Sequence, residues 1–234
     1  MTFKRINYFL SLLVFSSFYT GIILSQDAEE FFSRTPPEYN PPGELLGWID
    51  SREYQSLNGK WHYIIDPMNN GLPEESFFGG FPQNKLPSEG LELIEYDFES
   101  AKVMEIPGAW NAHEKNLLFY RGPVWFYKKF NHKSSNNNLT HLYIGASNFT
   151  TKVFLNGKIV GSFEGGYTSF NFDVTEHLED GNNVLIIHVD NTLSKDSVPT
   201  KKTDWWPYGG ILGDVLLIST LKKFIQNAYL QLRD

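Results

Sequence analysis

Past residue 25 the chain is written in short bursts of apolar and β-branched residues, and no stretch of 12 or more residues keeps a 3.6-residue apolar period. The bursts are bounded by Gly, Asn, Asp or Pro, the punctuation of strands and turns. They predict strands at about 60–65, 102–106, 124–130, 141–146, 152–155, 158–163, 170–174, 184–189 and 215–219. Asn156-Gly157 separates two of these runs, and both central positions of a type I′ hairpin turn need the positive φ that Asn and Gly tolerate. Phe170, Phe172 and Val174 alternate with Asn171 and Asp173, which predicts one buried face and one wet face. The 184–189 run is apolar except for His188, which reads as a structural histidine rather than a ligand. Residues 224–232 also alternate and predict a further strand, with nothing after it to pair with. Segment 66–99 is rich in Gly, Pro and Phe and is too long for an ordinary connection, so it reads as a functional loop or lid. About eight to ten short strands joined by turns imply an all-β antiparallel sandwich or jelly roll.

The N-terminus reads differently. Lys4 and Arg5 precede a mostly apolar run from Tyr8 to Leu24, and Ser25 is a small residue at a plausible cleavage point before Gln26. This is the pattern of a signal peptide over 1–25, and it predicts an exported product, periplasmic or extracellular. An uncleaved anchor is the alternative, but Ser11, Ser16, Ser17, Thr20 and Gly21 interrupt the run. Export would make Asn138-Leu139-Thr140 and Asn148-Phe149-Thr150 formal glycosylation triplets, a pattern that also arises by chance.

Composition narrows the classes further. The chain has 234 residues, 41% of them apolar and 16% aromatic, as suits a globular protein. It has no cysteine, which excludes disulfides, thiolate metal sites and a cysteine nucleophile. Net charge is -7, and loss of Lys4 and Arg5 with the leader would leave a more acidic chain, so a nucleic-acid partner is not expected. The length holds one sandwich but not a sandwich beside a (β/α)8 barrel, which needs about 250 residues alone.

Self-sufficient chemistry is scarce. None of the six histidines has a metal-ligand spacing, there is no G-x-S-x-G elbow, and no spacing identifies a calcium site. One segment stands apart: Asp204-Trp205-Trp206-Pro207-Tyr208-Gly209-Gly210-Ile211. Aromatic faces pack on the apolar C–H face of a pyranose, and a carboxylate accepts bonds from paired hydroxyls. The same residues also suit core or interface aromatics with Asp204 capping a turn, and composition alone leaves both readings open.

The motifs, taken in order, resemble the N-terminal sugar-binding domain of the family 2 glycoside hydrolases, which include β-galactosidases and β-glucuronidases. They begin with Leu57-Asn58-Gly59-Lys60-Trp61 and Ile106-Pro107-Gly108-Ala109-Trp110-Asn111, and continue with Tyr120-Arg121-Gly122-Pro123-Val124-Trp125. Val153-Phe154-Leu155-Asn156-Gly157, Gly165-Gly166-Tyr167-Thr168-Ser169-Phe170, Val189-Asp190-Asn191 and Asp204 to Ile211 complete the set. The resemblance implies a galactose-binding-like jelly roll over 52–220, after a leader at 1–25 and an extended segment at 26–51. Residues 221–234 would then start an immunoglobulin-like domain. It implies that a barrel carrying the two catalytic glutamates lies outside these residues, lost by truncation or a frameshift, so the chain alone is expected to be inactive and to need no cofactor or metal. It implies a carbohydrate partner held by Asp204, Trp205, Trp206, Tyr208 and, more weakly, Arg121. A stand-alone carbohydrate-binding module is the alternative. Two departures matter. Pro207 stands where the family commonly has Asn, and Gly213 replaces a usual Arg that would anchor the loop near Asp204.

Overall fold

The computed structural model describes residues 38–72, 97–133, 135, 137–197, 199–202, 204–228 and 231–232. The expected leader at 1–25 and most of the expected 66–99 loop lie outside them. The described residues belong to one compact unit, Glu38–Asp234. Among them no helix is long and apolar enough to cross a membrane.

The strands are β1 (Glu53–Ser56), β2 (Gly59–Ile65), β3 (Lys102–Ile106), β4 (Gly108–Ala109), β5 (Pro123–His132), β6 (Asn138–Ile144) and β7 (Ser147–Asn148), followed by β8 (Thr150–Leu155), β9 (Lys158–Glu164), β10 (Phe170–Asp173), β11 (Gly181–Asp190), β12 (Gly210–Ile211) and β13 (Val215–Leu221). One short helix, α1 (Trp110–His113), follows β4. The strands form a four-stranded sheet in the order β1-β13-β6-β10, a six-stranded sheet in the order β3-β2-β5-β11-β8-β9, and a small β4-β12-β7 sheet. All the pairings are antiparallel. The fold is therefore the all-β jelly-roll sandwich that the strand pattern implied.

The main core lies between the two large sheets. Trp61, Met104, Phe126, Val153, Leu185 and Ile187 meet Leu142, Ile144, Phe170, Phe172, Val215 and Leu217 there, all buried. A second apolar layer covers the outer face of the six-stranded sheet, where Trp125, Tyr127, Phe154 and Ile186 pack under Phe98 and Leu72. Phe98 stacks on Tyr127 at 4.9 Å between centroids. This layer explains why the 184–189 run does not alternate: β11 is central and covered on both sides.

His188 occupies that second layer. Its ring lies 4.6 Å from the Trp125 ring, and Nε2 meets Asn69 Oδ1 at 3.1 Å. One ring nitrogen is therefore satisfied, while buried Nδ1 has no hydrogen-bond partner among the described residues. Burial, helped by Lys152, drops its pKa to about 3.

The Asn156-Gly157 hairpin forms as expected, with φ of 53° and 76°. One other expectation is corrected. Asn171 is buried rather than wet, because residues 43–46 cross the outer side of β10: Asn171 Oδ1 accepts from Leu46 N at 2.9 Å, and its carbonyl accepts from Gly43 N at 3.0 Å. The described residues of 224–232 pair with no strand of the sandwich. Arg52 Nη2 instead donates to the carbonyls of Ile225 and Gln226 at 2.8 and 3.1 Å, and Gly47 N donates to the Gln226 carbonyl at 2.9 Å. Within this run Phe224 packs on Leu46, Leu216 and Ile218.

Candidate functional site

The Trp-Trp-Pro-Tyr-Gly-Gly segment runs from Asp204 into β12. An exposed loop of large aromatics gains nothing from its own packing, so its shape depends on how its backbone is held. Three buried asparagines hold it. Asn191, just past β11, donates from Nδ2 to the Pro207 carbonyl at 2.8 Å. Asn148, in β7, donates to the Tyr208 carbonyl at 2.8 Å and reaches the Tyr167 hydroxyl at 3.3 Å. Asn111, in α1, accepts from Gly209 N at 2.8 Å. Trp110 N completes the mount by donating to the Gly209 carbonyl at 3.0 Å. Buried bonds of this kind are costly to break, because each leaves a desolvated group behind.

Two glycines are fixed by space. A Cβ on Gly209 would lie 1.9 Å from Trp110 Cζ2, inside the ring's own volume. Gly210 has φ of 146°, and a Cβ there would lie 2.3 Å from the Gly108 carbonyl oxygen.

The second predicted segment, around Arg121, shares the same mount. Asn191 Oδ1 accepts from Gly122 N at 2.9 Å while its Nδ2 holds Pro207. Asn111 Nδ2 meets the Leu117 carbonyl at 2.9 Å and the Tyr120 carbonyl at 3.1 Å while its Oδ1 holds Gly209. One pair of amides thus ties both loops together.

The outcome is an aromatic shelf facing solvent. Phe119, 76% exposed, lies 5.4 Å from the Trp206 ring, and Trp206 lies 6.5 Å from Tyr208. Trp205 is 73% exposed, which removes the core reading of this tryptophan. Trp206 and Tyr208 are exposed as well, while Pro207 between them is buried. Asp204 and Arg121 are both exposed, and neither side chain has a hydrogen-bond or ion-pair partner among the described residues. A shelf flanked by a carboxylate and a guanidinium can stack a sugar ring and bond its hydroxyls.

All five predicted residues therefore lie on two neighbouring loops, with Trp206 touching across to Phe119. Sequence reasoning missed Phe119, which precedes the Tyr120-Arg121-Gly122 motif without belonging to it. It also missed the three asparagines as mounts. Asn111 and Asn191 were visible in their motifs, but nothing in the spacing showed that they meet one loop.

The Gly213 departure has a local explanation, and nothing in the structure explains proline at 207. A Cβ on Gly213 would lie 2.5 Å from Ala146 N, so no arginine fits there, and the shelf loop is held by the asparagines instead. Pro207 is buried and offers its carbonyl to Asn191. The Asn148 triplet is no glycosylation site in the folded chain, because Asn148 is buried and engaged. Among the described residues no His, Asp and Glu group gathers that could hold a metal ion.

Comparison with known proteins gives one family and a consistent set of relatives. The family model "Glycosyl hydrolases family 2, sugar binding domain" matches residues 54–221. A beta-galactosidase of Thermoanaerobacter pseudethanolicus is 28% identical over 153 residues, covering 62% of this chain and 21% of its own length. A beta-glucuronidase of Paenibacillus borealis is 26% identical over 200 residues, covering 76% of this chain and 31% of its own length. Among solved structures, a beta-glucuronidase from an uncultured Clostridium sp. superposes with a TM-score of 0.62 at 25% identity, over 83% of this chain and 32% of that one. The chain spans between a fifth and a third of these relatives.

Proposed function

Because the chain belongs to the family 2 glycosyl hydrolases through their sugar-binding domain, we propose that it is the sugar-binding part of an exported glycosidase of the β-glucuronidase or β-galactosidase type. In this reading the O-glycosyl bond is cut by a catalytic barrel outside these 234 residues, and the shelf forms one wall of the sugar pocket. The observation that carries it is the shelf itself: solvent-facing aromatics whose backbone is fixed by three buried asparagines. Exposed aromatics on a rigid mount suit a ligand with apolar ring faces. Trp206, Tyr208 and Trp205 would stack the sugar, Asp204 would accept from its hydroxyls, and Arg121 would reach it from the second loop. The Lys4 and Arg5 leader pattern supports export.

The test has two parts. The purified chain is expected to show no turnover of aryl β-glucuronides or β-galactosides, and measurable hydrolysis would refute the division of labour. It is expected to bind a saccharide of one of these classes, with Trp206→Ala weakening binding about tenfold or more. If titration calorimetry is flat across both classes, the shelf is not a sugar wall on its own.

A further inference from the structure

The outer face of the four-stranded sheet carries a second place of interest, whose lining shares no residue with the shelf. Ser56, Leu216 and Tyr143 lie opposite one another across β1, β13 and β6, so they form a continuous row on one face. Leu46 and Phe224 cover part of that face. The uncovered remainder is a half-open cleft of about 460 Å³. Trp48, Asp50, Tyr54, Asn58 and Asp214 line it.

Three features mark this as a built site. Trp48 is 55% exposed and Tyr54 is 49% exposed, so two large aromatic faces meet solvent at a concave surface. Trp48 also has φ and ψ of 52°, a left-handed conformation that bulky residues rarely adopt. It is held there by its neighbours: Arg52 Nε donates to the Gly47 carbonyl at 2.9 Å, and Ser51 N donates to the Trp48 carbonyl at 3.1 Å. Asp214 is exposed and oriented, because Oδ1 accepts from Asn58 Nδ2 at 2.8 Å while Asn58 Oδ1 accepts from Val215 N at 2.9 Å. Observed strain at a cleft points toward function more than toward packing.

We propose that this cleft is a second carbohydrate-binding site, separate from the shelf, and that it takes a neutral saccharide. The charge decides the class. Among the described residues, those lining the cleft include the carboxylates of Asp50 and Asp214 and no cationic side chain. Sugar hydroxyls donate to carboxylates, whereas a uronate would meet two like charges. Trp48 and Tyr54 supply the stacking faces.

The experiment is an indole N–H titration of the whole chain by two-dimensional NMR. The six tryptophans include Trp48 at the cleft and Trp205 and Trp206 at the shelf, while Trp61, Trp110 and Trp125 are buried and report on the fold. Neutral β-linked gluco- and galacto-oligosaccharides and a glucuronate-terminated disaccharide are the probes. The Trp48 signal is expected to shift saturably with a neutral probe and not with the glucuronate. The shift should persist in Trp206→Ala and weaken about tenfold in Tyr54→Ala and Asp214→Asn, with the buried signals unmoved. A Trp48 signal that stays still with every neutral probe at millimolar concentration overturns the proposal. So does a shift that vanishes with Trp206→Ala, or one that follows protein concentration rather than saccharide and so marks contact between copies. Trp205 and Trp206 report the shelf separately, so failure at one site leaves the other readable.

Discussion

Asn191 holds two loops with one amide, accepting from Gly122 N and donating to the Pro207 carbonyl. Asn191→Ala leaves both groups buried and unpaired, at a cost of about 2–4 kcal/mol. Chemical denaturation should show that loss, and a saccharide titration should show weakened binding although every aromatic is still present. Gly209→Ala acts by volume. Its methyl would enter the Trp110 ring, so destabilisation of at least about 2 kcal/mol is expected in the same assay. At this scale the sequence was half legible. Asp204 to Tyr208 announce themselves by composition, because four aromatic or acidic side chains in five positions are rare in a core strand. Asn111, Asn148 and Asn191 did not, because asparagine is common in turns and its partner here is backbone, which leaves no mark on residue identity.

Among the elements, β11 has the sharpest consequence. It is buried on both faces, and His188 is the polar interruption in its apolar run. Its folded pKa of about 3 lies below the 6.5 of a free imidazole, so the folded chain holds the neutral ring. That contribution is complete above pH 6.5 and declines as pH falls toward 3, by at most about 1.4 kcal/mol per unit. Burial lowers His132 and His141 in the same direction. The melting temperature should therefore fall between pH 7.5 and pH 5, by about 4–8 °C if His188 contributes about 2 kcal/mol. His188→Gln should flatten that slope, and an unchanged slope would place the titration elsewhere. Most elements were readable from alternation and turn residues, and the 102–106 prediction coincides with β3. The two-residue strands β4, β7 and β12 are too short to carry a period, and they build the small sheet beneath the shelf. In the 224–232 run Phe224 is packed while Ile225 and Leu232 are exposed, so its alternation does not follow burial within the sandwich.

Across the whole molecule, residues 38–52 are the least expected participant. Asn40 accepts from Ser162 N of β9 at 2.9 Å, and Gly43 donates to Asn171 of β10, so this segment bridges strands of both large sheets. Arg52 then fastens Gly47 and the 225–226 backbone together, with its guanidinium 5.6 Å from the Phe224 ring. Arg52→Ala should raise hydrogen exchange at the Gly47 amide while leaving β11 amides protected; equal protection at both would show that the clamp is dispensable. Nothing in the sequence singled out this strap, because its contacts have backbone groups on at least one side and most reach across more than 100 positions.

The shared asparagine mount has one more consequence. Because Asn191 and Asn111 each fix both lips, the contour of the shelf is decided when the polypeptide folds, before any ligand arrives. On the proposed reading, such a wall acts as a template that sorts ligands by exclusion and does not remould itself around them. Exchanging an aromatic would retune which sugar fits. Altering Asn191 would change whether the surface can discriminate at all.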